Sequence, residues 1–120
     1  PIWHVGDSKE VLSARHEPED DIIGDGYDMI FSCPPYGDLE VYSDDPADIS
    51  TLAMAEFDLA YESIIDRAVA RLADNRFACF VVGDYRDRHG IYANFVSKTI
   101  QAFERAGALL YNEAILVTSV

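Results

Sequence analysis

The sequence predicts an α/β fold, a mostly parallel sheet with flanking helices, and three observations carry that expectation. Short apolar runs alternate with segments of helical spacing in the order strand, helix, strand, loop, helix, strand, helix, strand, the alternation that winds into a doubly wound parallel sheet. The run Phe77-Ala78-Cys79-Phe80-Val81-Val82 is apolar without a break, as expected of a strand covered on both faces. Three of the four expected strands end in glycine, acidic or proline residues, and in such sheets ligands lie beyond the carboxyl ends of the strands.

Taken in order, Ile2-Trp3-His4-Val5 is a short apolar run closed by Gly6-Asp7-Ser8, which reads as a buried strand turning on glycine into a capped helix. A short helix is expected over 8–16, followed by a charged, solvated loop at Glu17-Pro18-Glu19-Asp20-Asp21. Residues 27–32 (YDMIFS) combine aromatic and β-branched types and form the second expected strand. Pro34 and Pro35 stop it, because proline donates no hydrogen bond to a ladder. Residues 36–50 contain Gly37, Pro46 and a run of acids without helical or strand period, so a long loop is expected there. With Ser50 as its N-cap, a helix is expected next, since Phe57, Tyr61, Ile64, Ile65, Ala68 and Leu72 share helical spacing and Arg67 and Arg71 fall late, where the macrodipole favours them. Asp74-Asn75 ends that helix, and the strand over 77–82 runs into Gly83-Asp84. A further helix is expected from Asn94 to about Ala106, closed by Gly107, and a final strand over 109–117.

A chain of 120 residues with 49% hydrophobic content supports one modest core. No apolar stretch is long enough to cross a bilayer and nothing at the start resembles a signal sequence, so a soluble, cytoplasmic protein without a membrane partner is expected. Cys33 and Cys79 show no metal-ligand spacing and are expected as reduced thiols. The formal charge of −13, from 22 acidic and 9 basic residues, opposes binding to a phosphate backbone, which needs clustered Lys and Arg. Opening on Pro1 and stopping at Val120 just after an apolar run, the chain reads as one partial domain spanning 1–120.

The expected strand tips Gly6-Asp7, Ser32-Cys33-Pro34-Pro35-Tyr36 and Gly83-Asp84 should share one rim. Either Gly-Asp pair alone is an ordinary turn with a solvated acid. The middle tip is less ordinary: adjacent prolines fix two backbone dihedrals and remove two donors, which leaves carbonyls free to accept, and Tyr36 adds a flat face.

Residues 27–36 resemble the catalytic motif of S-adenosylmethionine-dependent amino-methyltransferases, a strand of the form Asp-x-Ile-x ending in Asp, Asn or Ser before Pro-Pro-Tyr or Pro-Pro-Phe. Nearly the whole chain, from Trp3 to Val117, is similar to phage and bacterial DNA methylases, with Gly-Asp-Ser before the motif, Gly-Asp-Leu-Glu-Val-Tyr-Ser after it and Val-Val-Gly-Asp on the next strand. The resemblance implies a Rossmann-like methyltransferase fold, S-adenosylmethionine as cofactor, and DNA as partner with the target base flipped out, in a bacterial cell or phage-infected host. It implies Ser32, Cys33, Pro34, Pro35 and Tyr36 as catalytic residues and Gly6 and Asp7 as cofactor-binding residues, with Asp7 accepting from the adenine amino group.

The residue types suit that chemistry. The amino nitrogen of adenine or cytosine has its lone pair delocalised into the ring, so acceptors must hold its hydrogens before it attacks. The Pro34 carbonyl and the preceding side chain are the expected acceptors, and Tyr36 the surface on which an extruded base stacks, worth about 1–3 kcal/mol. Transfer is then direct displacement, governed by alignment. The sequence departs from the pattern at Cys33, where Asp, Asn or Ser is usual: either the Pro34 carbonyl does most of the work, or Cys33 ionises, or activity is reduced, and a thiol filling buried space is the plain alternative. The glycine-rich strand end and acidic ribose ligand typical of such enzymes are absent from the sequence, which implies weak cofactor binding and open sheet edges.

A second class of function is a non-catalytic acidic module that binds a divalent cation or a protein through the 38–48 loop, where Asp38, Glu40, Asp44, Asp45 and Asp48 crowd oxygen ligands without an EF-hand spacing. Arg86, Arg88 and Lys98 are too few for a nucleic-acid groove, and His4, His16 and His89 lack ligand spacing.

Overall fold

The computed structural model of the chain describes residues 3–12, 23–37, 39–87 and 89–117. Among them are helix α1 (Ser8–Val11), strand β1 (Tyr27–Ser32), a single 3-10 turn (Ile49–Thr51), helix α2 (Met54–Arg71), strand β2 (Leu72–Phe80) and helix α3 (Phe95–Arg105). The molecule is a small α/β domain with a two-stranded parallel sheet and flanking helices.

β1 forms over the residues expected of it and stops where Pro34 and Pro35 withdraw two donors. Its pairing with β2 runs Met29 to Phe77, Ile30 to Ala78, Phe31 to Cys79 and Ser32 to Phe80, and the Val81 N–H extends the ladder to the Ser32 carbonyl at 2.9 Å. Parallel strands need a crossover, and α2 supplies it. Instead of ending at Asp74-Asn75, α2 stops at Arg71 and passes straight into β2, which begins five residues before the apolar run. The first part of β2 is irregular: Tyr27 pairs with Leu72 while Met29 pairs with Phe77, so residues 73–76 bulge out, with Asn75 in the left-handed region at φ 58°.

Helical spacing on α2 and α3 builds the core. Phe57, Tyr61 and Ile65, at i, i+4 and i+8 of α2, are buried against Phe95, Thr99 and Ala102 of α3. The Phe57 and Tyr61 rings stack at 5.6 Å, Tyr61 tilts on Phe95 at 5.1 Å, and the Tyr61 and Thr99 hydroxyls share a 3.1 Å hydrogen bond. Phe80 joins from β2, edge-on to Phe103 at 4.9 Å. Arg71, itself buried, gathers the chain ahead of β1: its Nε donates to the Leu12 carbonyl at 3.3 Å, its Nη1 to the Gly24 carbonyl at 2.6 Å, and Asp25 lies 3.6 Å from the guanidinium.

Several sequence expectations are corrected. Ser50 does not cap α2. It lies buried in the 3-10 turn, whose cap is the Asp48 carboxylate, and α2 starts after Ala53 without a side-chain cap. Among the described residues two strands form, where four were expected. Trp3, His4 and Val5 have no strand partner among the described residues and Val5 is 97% exposed, while residues 109–117 form no ladder and Leu109, Ile115, Leu116 and Val117 stay exposed. A strand is stable only where a ladder accepts its N–H and C=O groups, and apolar patterning alone supplies none. Nor is the sheet covered on both faces, since alternate residues Met29, Phe31 and Phe77 are exposed. Tyr111, edge-on to Phe77 at 5.2 Å, covers a little of that face. The expected first helix forms over Ser8–Val11 with Leu12 as its C-cap, and residues 13–16, with the 17–21 loop and Ile2, lie outside the described residues.

Candidate active site

The tip of β1 is set by its own sequence. Pro34 is buried, Pro35 half-buried, and after Tyr36 the chain turns tightly, Leu39 donating to the Tyr36 carbonyl at 3.1 Å with Gly37 at φ 57°. Pro35 reaches a cleft of about 520 Å³ that is also lined by Gly6, Asp7, Tyr42, Ser43 and Asp48. Two of the expected strand tips therefore share one cavity, although Gly6-Asp7 does not arrive there on a strand.

Asp7 is anchored by its own helix. Its Oδ1 accepts from the Lys9 N–H at 2.8 Å as the cap of α1, and Lys9 Nζ stands 3.6 Å from Oδ2. A side chain at Gly6 would come within 2.6 Å of Val11 Cγ2, so glycine there lets the tip fold back on α1.

Tyr36 sits differently from its neighbour. Its ring is half-buried, edge-on to Tyr85 at 6.3 Å and to Phe95 at 6.1 Å, and its hydroxyl end lies beside Gly83. It belongs to the rim of the core and is not among the residues lining the cleft. The contact with Gly83 does bring the tips of β1 and β2 together. Asp84, however, is committed to the fold: its Oδ1 accepts from the Phe95 N–H and so satisfies the first donor of α3. Its carboxylate also accepts from the Tyr92 hydroxyl and holds that phenol above its ordinary range.

Cys33 and Cys79 are free and exposed, so Cys33 is not a thiol filling buried space. Ser32 is half-buried at the last β1 position, its carbonyl occupied by Val81. Neither Ser32 nor Cys33 lines the cleft.

Sequence reasoning missed Tyr42 as a site residue, and placed Glu40 and Asp48 of the same loop only in a candidate cation or partner site. Tyr42 lines the cleft and is 65% exposed. Its N–H donates to Ser50 Oγ at 3.1 Å and its hydroxyl to Glu40 Oε2 at 2.5 Å, and the Glu40 hydrogen bond raises the phenol pKa. Asp48 accepts from Ser50 N–H and Ser43 Oγ, both at 2.9 Å, and hydrogen bonds from Ser50 and then Ser43 hold its carboxyl below the usual range. The signal was present in the Asp-x-Ser spacing of Asp48 and Ser50, which forms an Asx turn and fixes a loop that composition alone marks as irregular. Among the described residues, no group of three or more His, Cys, Asp or Glu side chains is arranged to hold a metal ion, and Asp38 lies outside them. No described helix is long and apolar enough to cross a membrane.

The cleft can therefore present a carboxylate, a proline ring and an exposed phenol to one planar, donor-bearing ligand. No family model, curated protein or solved structure matches the chain.

Proposed function

We propose that the chain transfers a methyl group from S-adenosylmethionine to the exocyclic amino group of adenine or cytosine in DNA, on a Rossmann-like methyltransferase fold. The observation that carries this reading is the convergence of Pro35, at the tip of β1, and Gly6-Asp7 on one cleft beside a parallel strand pair. A volume of about 520 Å³ falls within the range of small-molecule sites.

The cofactor's adenosine end fits what lines the cleft. Asp7 uses one oxygen lone pair as a helix cap, and a carboxylate has roughly four acceptor sites, so it retains capacity for an amino group. When bound, S-adenosylmethionine supplies an electrophilic methyl group on a sulfonium sulfur. The chain's own part is alignment: the Pro34 carbonyl accepts a hydrogen of the target amine, the proline pair offers no competing N–H, and Tyr36 braces the tip against Tyr85 and Phe95. The exposed Cys33 leaves acceptance chiefly to that carbonyl, since a protonated thiol accepts weakly.

The test is incorporation of radiolabelled methyl into single-stranded and duplex oligonucleotides, followed by nucleoside analysis. Label on adenine N6 or cytosine N4, reduced tenfold or more by Asp7→Ala, is the expected result. Absence of label from every substrate, with the wild-type chain folded, refutes the proposal.

A further inference from the structure

We propose that Tyr42, on the acidic loop, is the plate against which the target base lies, a role that rests on the base-methylating reading above and deepens it. A base that leaves its stack needs a replacement π surface with an accessible face. Tyr36 does not offer one to the cleft: it is half-buried at the rim of the core, set edge-on to Tyr85 and Phe95, and the cavity wall at this tip is Pro35. Tyr42 meets each requirement. It lines the same cleft as Pro35 and Asp7, and the residue is 65% exposed.

Tyr42 is also held as a plate must be. The backbone is pinned by Ser50 Oγ at 3.1 Å, on a serine that is itself buried, and the ring is tethered at its far end by the 2.5 Å hydrogen bond to Glu40. Two anchors at opposite ends of a side chain with two rotatable bonds leave little freedom to lose on binding, which is how an exposed aromatic contributes affinity. Residue 42 therefore determines which ligands the cleft accepts: planar rings gain, and non-planar groups of equal polarity do not.

The experiment uses a short single-stranded oligonucleotide carrying one 2-aminopurine, whose fluorescence falls when it stacks on an aromatic ring, titrated with the whole chain in the presence of S-adenosylmethionine. Methyl transfer to the adenine equivalent is measured in parallel. At saturation Tyr42→Phe is expected to quench as wild type does, binding somewhat more weakly for want of the Glu40 tether, and Tyr42→Ala to abolish the quench and weaken binding by roughly five- to 150-fold. The melting midpoint of Tyr42→Ala should be unchanged, because the ring takes no part in the core. Tyr111→Ala, at an exposed aromatic outside the cleft, should behave as wild type. If Tyr42→Ala quenches, binds and transfers methyl as wild type does, or if Tyr111→Ala loses as much, the assignment of Tyr42 is wrong while base methylation stands. If the wild type neither quenches nor transfers, the functional reading falls and the assignment falls with it.

Discussion

Gly37 is the position where a single methyl group most directly tests how the motif tip is supported. It is buried, at φ 57°, immediately after Tyr36. A Cβ built there collides with the Tyr85 hydroxyl and stands 3.1 Å from Met54 Cε and 3.2 Å from Tyr85 Cζ. Left-handed backbone costs an ordinary L residue roughly 1–2 kcal/mol, and forcing a methyl into packed surroundings costs about 1–3 kcal/mol more. Gly37→Ala is therefore expected to lose about 2–5 kcal/mol, read by urea denaturation, with a drop in melting midpoint of roughly 6–20 °C for a domain of this size. Gly107→Ala is the control: its φ is 93° and nothing lies within 4 Å of the added carbon, so only the backbone cost applies. Tyr85→Phe removes the atom that is struck first, and in the double variant it should return about 1 kcal/mol, a positive coupling between contacting sites. Equal losses at Gly37 and Gly107, or a double variant that is strictly additive, would refute the claim that Tyr85 closes over the turn.

Two further outcomes follow from the core and from the start of α3. Burial pushes the Tyr61 phenol up to about 12, against the opposing hydrogen bond with Thr99. Below pH 10 the phenol is protonated in both states. Between pH 10 and about 12 the unfolded chain releases a proton that the folded chain keeps, so stability falls as pH rises, by about 2–3 kcal/mol across the window; Tyr61→Phe should lack that share of the loss in alkaline urea titrations. Asp84→Ala removes the acceptor for the Phe95 N–H and is expected to cost about 1–2 kcal/mol, and ultraviolet titration of Tyr92 should move back toward the ordinary tyrosine range because the Asp84 hydrogen bond is the largest cause of its rise. Asp84→Asn should keep most of the stability, since an amide oxygen can still accept.

What the sequence made legible were the features with strong local causes. Pro34 and Pro35 fix the end of β1, Gly107 at φ 93° closes α3, and the spacing of Phe57, Tyr61 and Ile65 builds a core face. Ser50 was misassigned because two caps compete over a few residues: Asp48 reaches the Ser50 N–H first, which commits Ser50 to a 3-10 turn and leaves α2 to begin at Met54. The 109–117 run was misread for a different reason. Its pattern specifies apolar faces but not a ladder partner, and pairing is a tertiary fact. The site divides in the same way. Pro35 was found because it follows a strand tip, and Gly6-Asp7 lines the same cleft without the strand expected ahead of it, whereas Tyr42 reaches the cleft only because Asp48, Ser43, Ser50 and Glu40 shape its loop through side-chain contacts that no period records.

The charge of the chain constrains the proposed chemistry more tightly than any single residue. Lys9, Arg71, Arg76, Lys98 and Arg105 each stand within 4.0 Å of a carboxylate oxygen, and the Arg86 guanidinium donates to the Gly90 carbonyl while lying over Tyr92. Cations already paired release few counterions from a phosphate backbone, and a cleft that contains Asp7, Asp45 and Asp48 repels phosphate outright. On the proposed reading, contact with DNA comes from the base rather than the backbone: an amino group offered to carboxylate or carbonyl oxygens, and a ring laid against an aromatic face. A base swung out of its stack offers both, whereas one inside a duplex offers only the groove edge of its amine and no free ring face. The same acidity that argues against non-specific DNA binding therefore selects, at the cleft, for a neutral or cationic ligand rich in N–H donors, a description that an exocyclic amine and a sulfonium cofactor both satisfy.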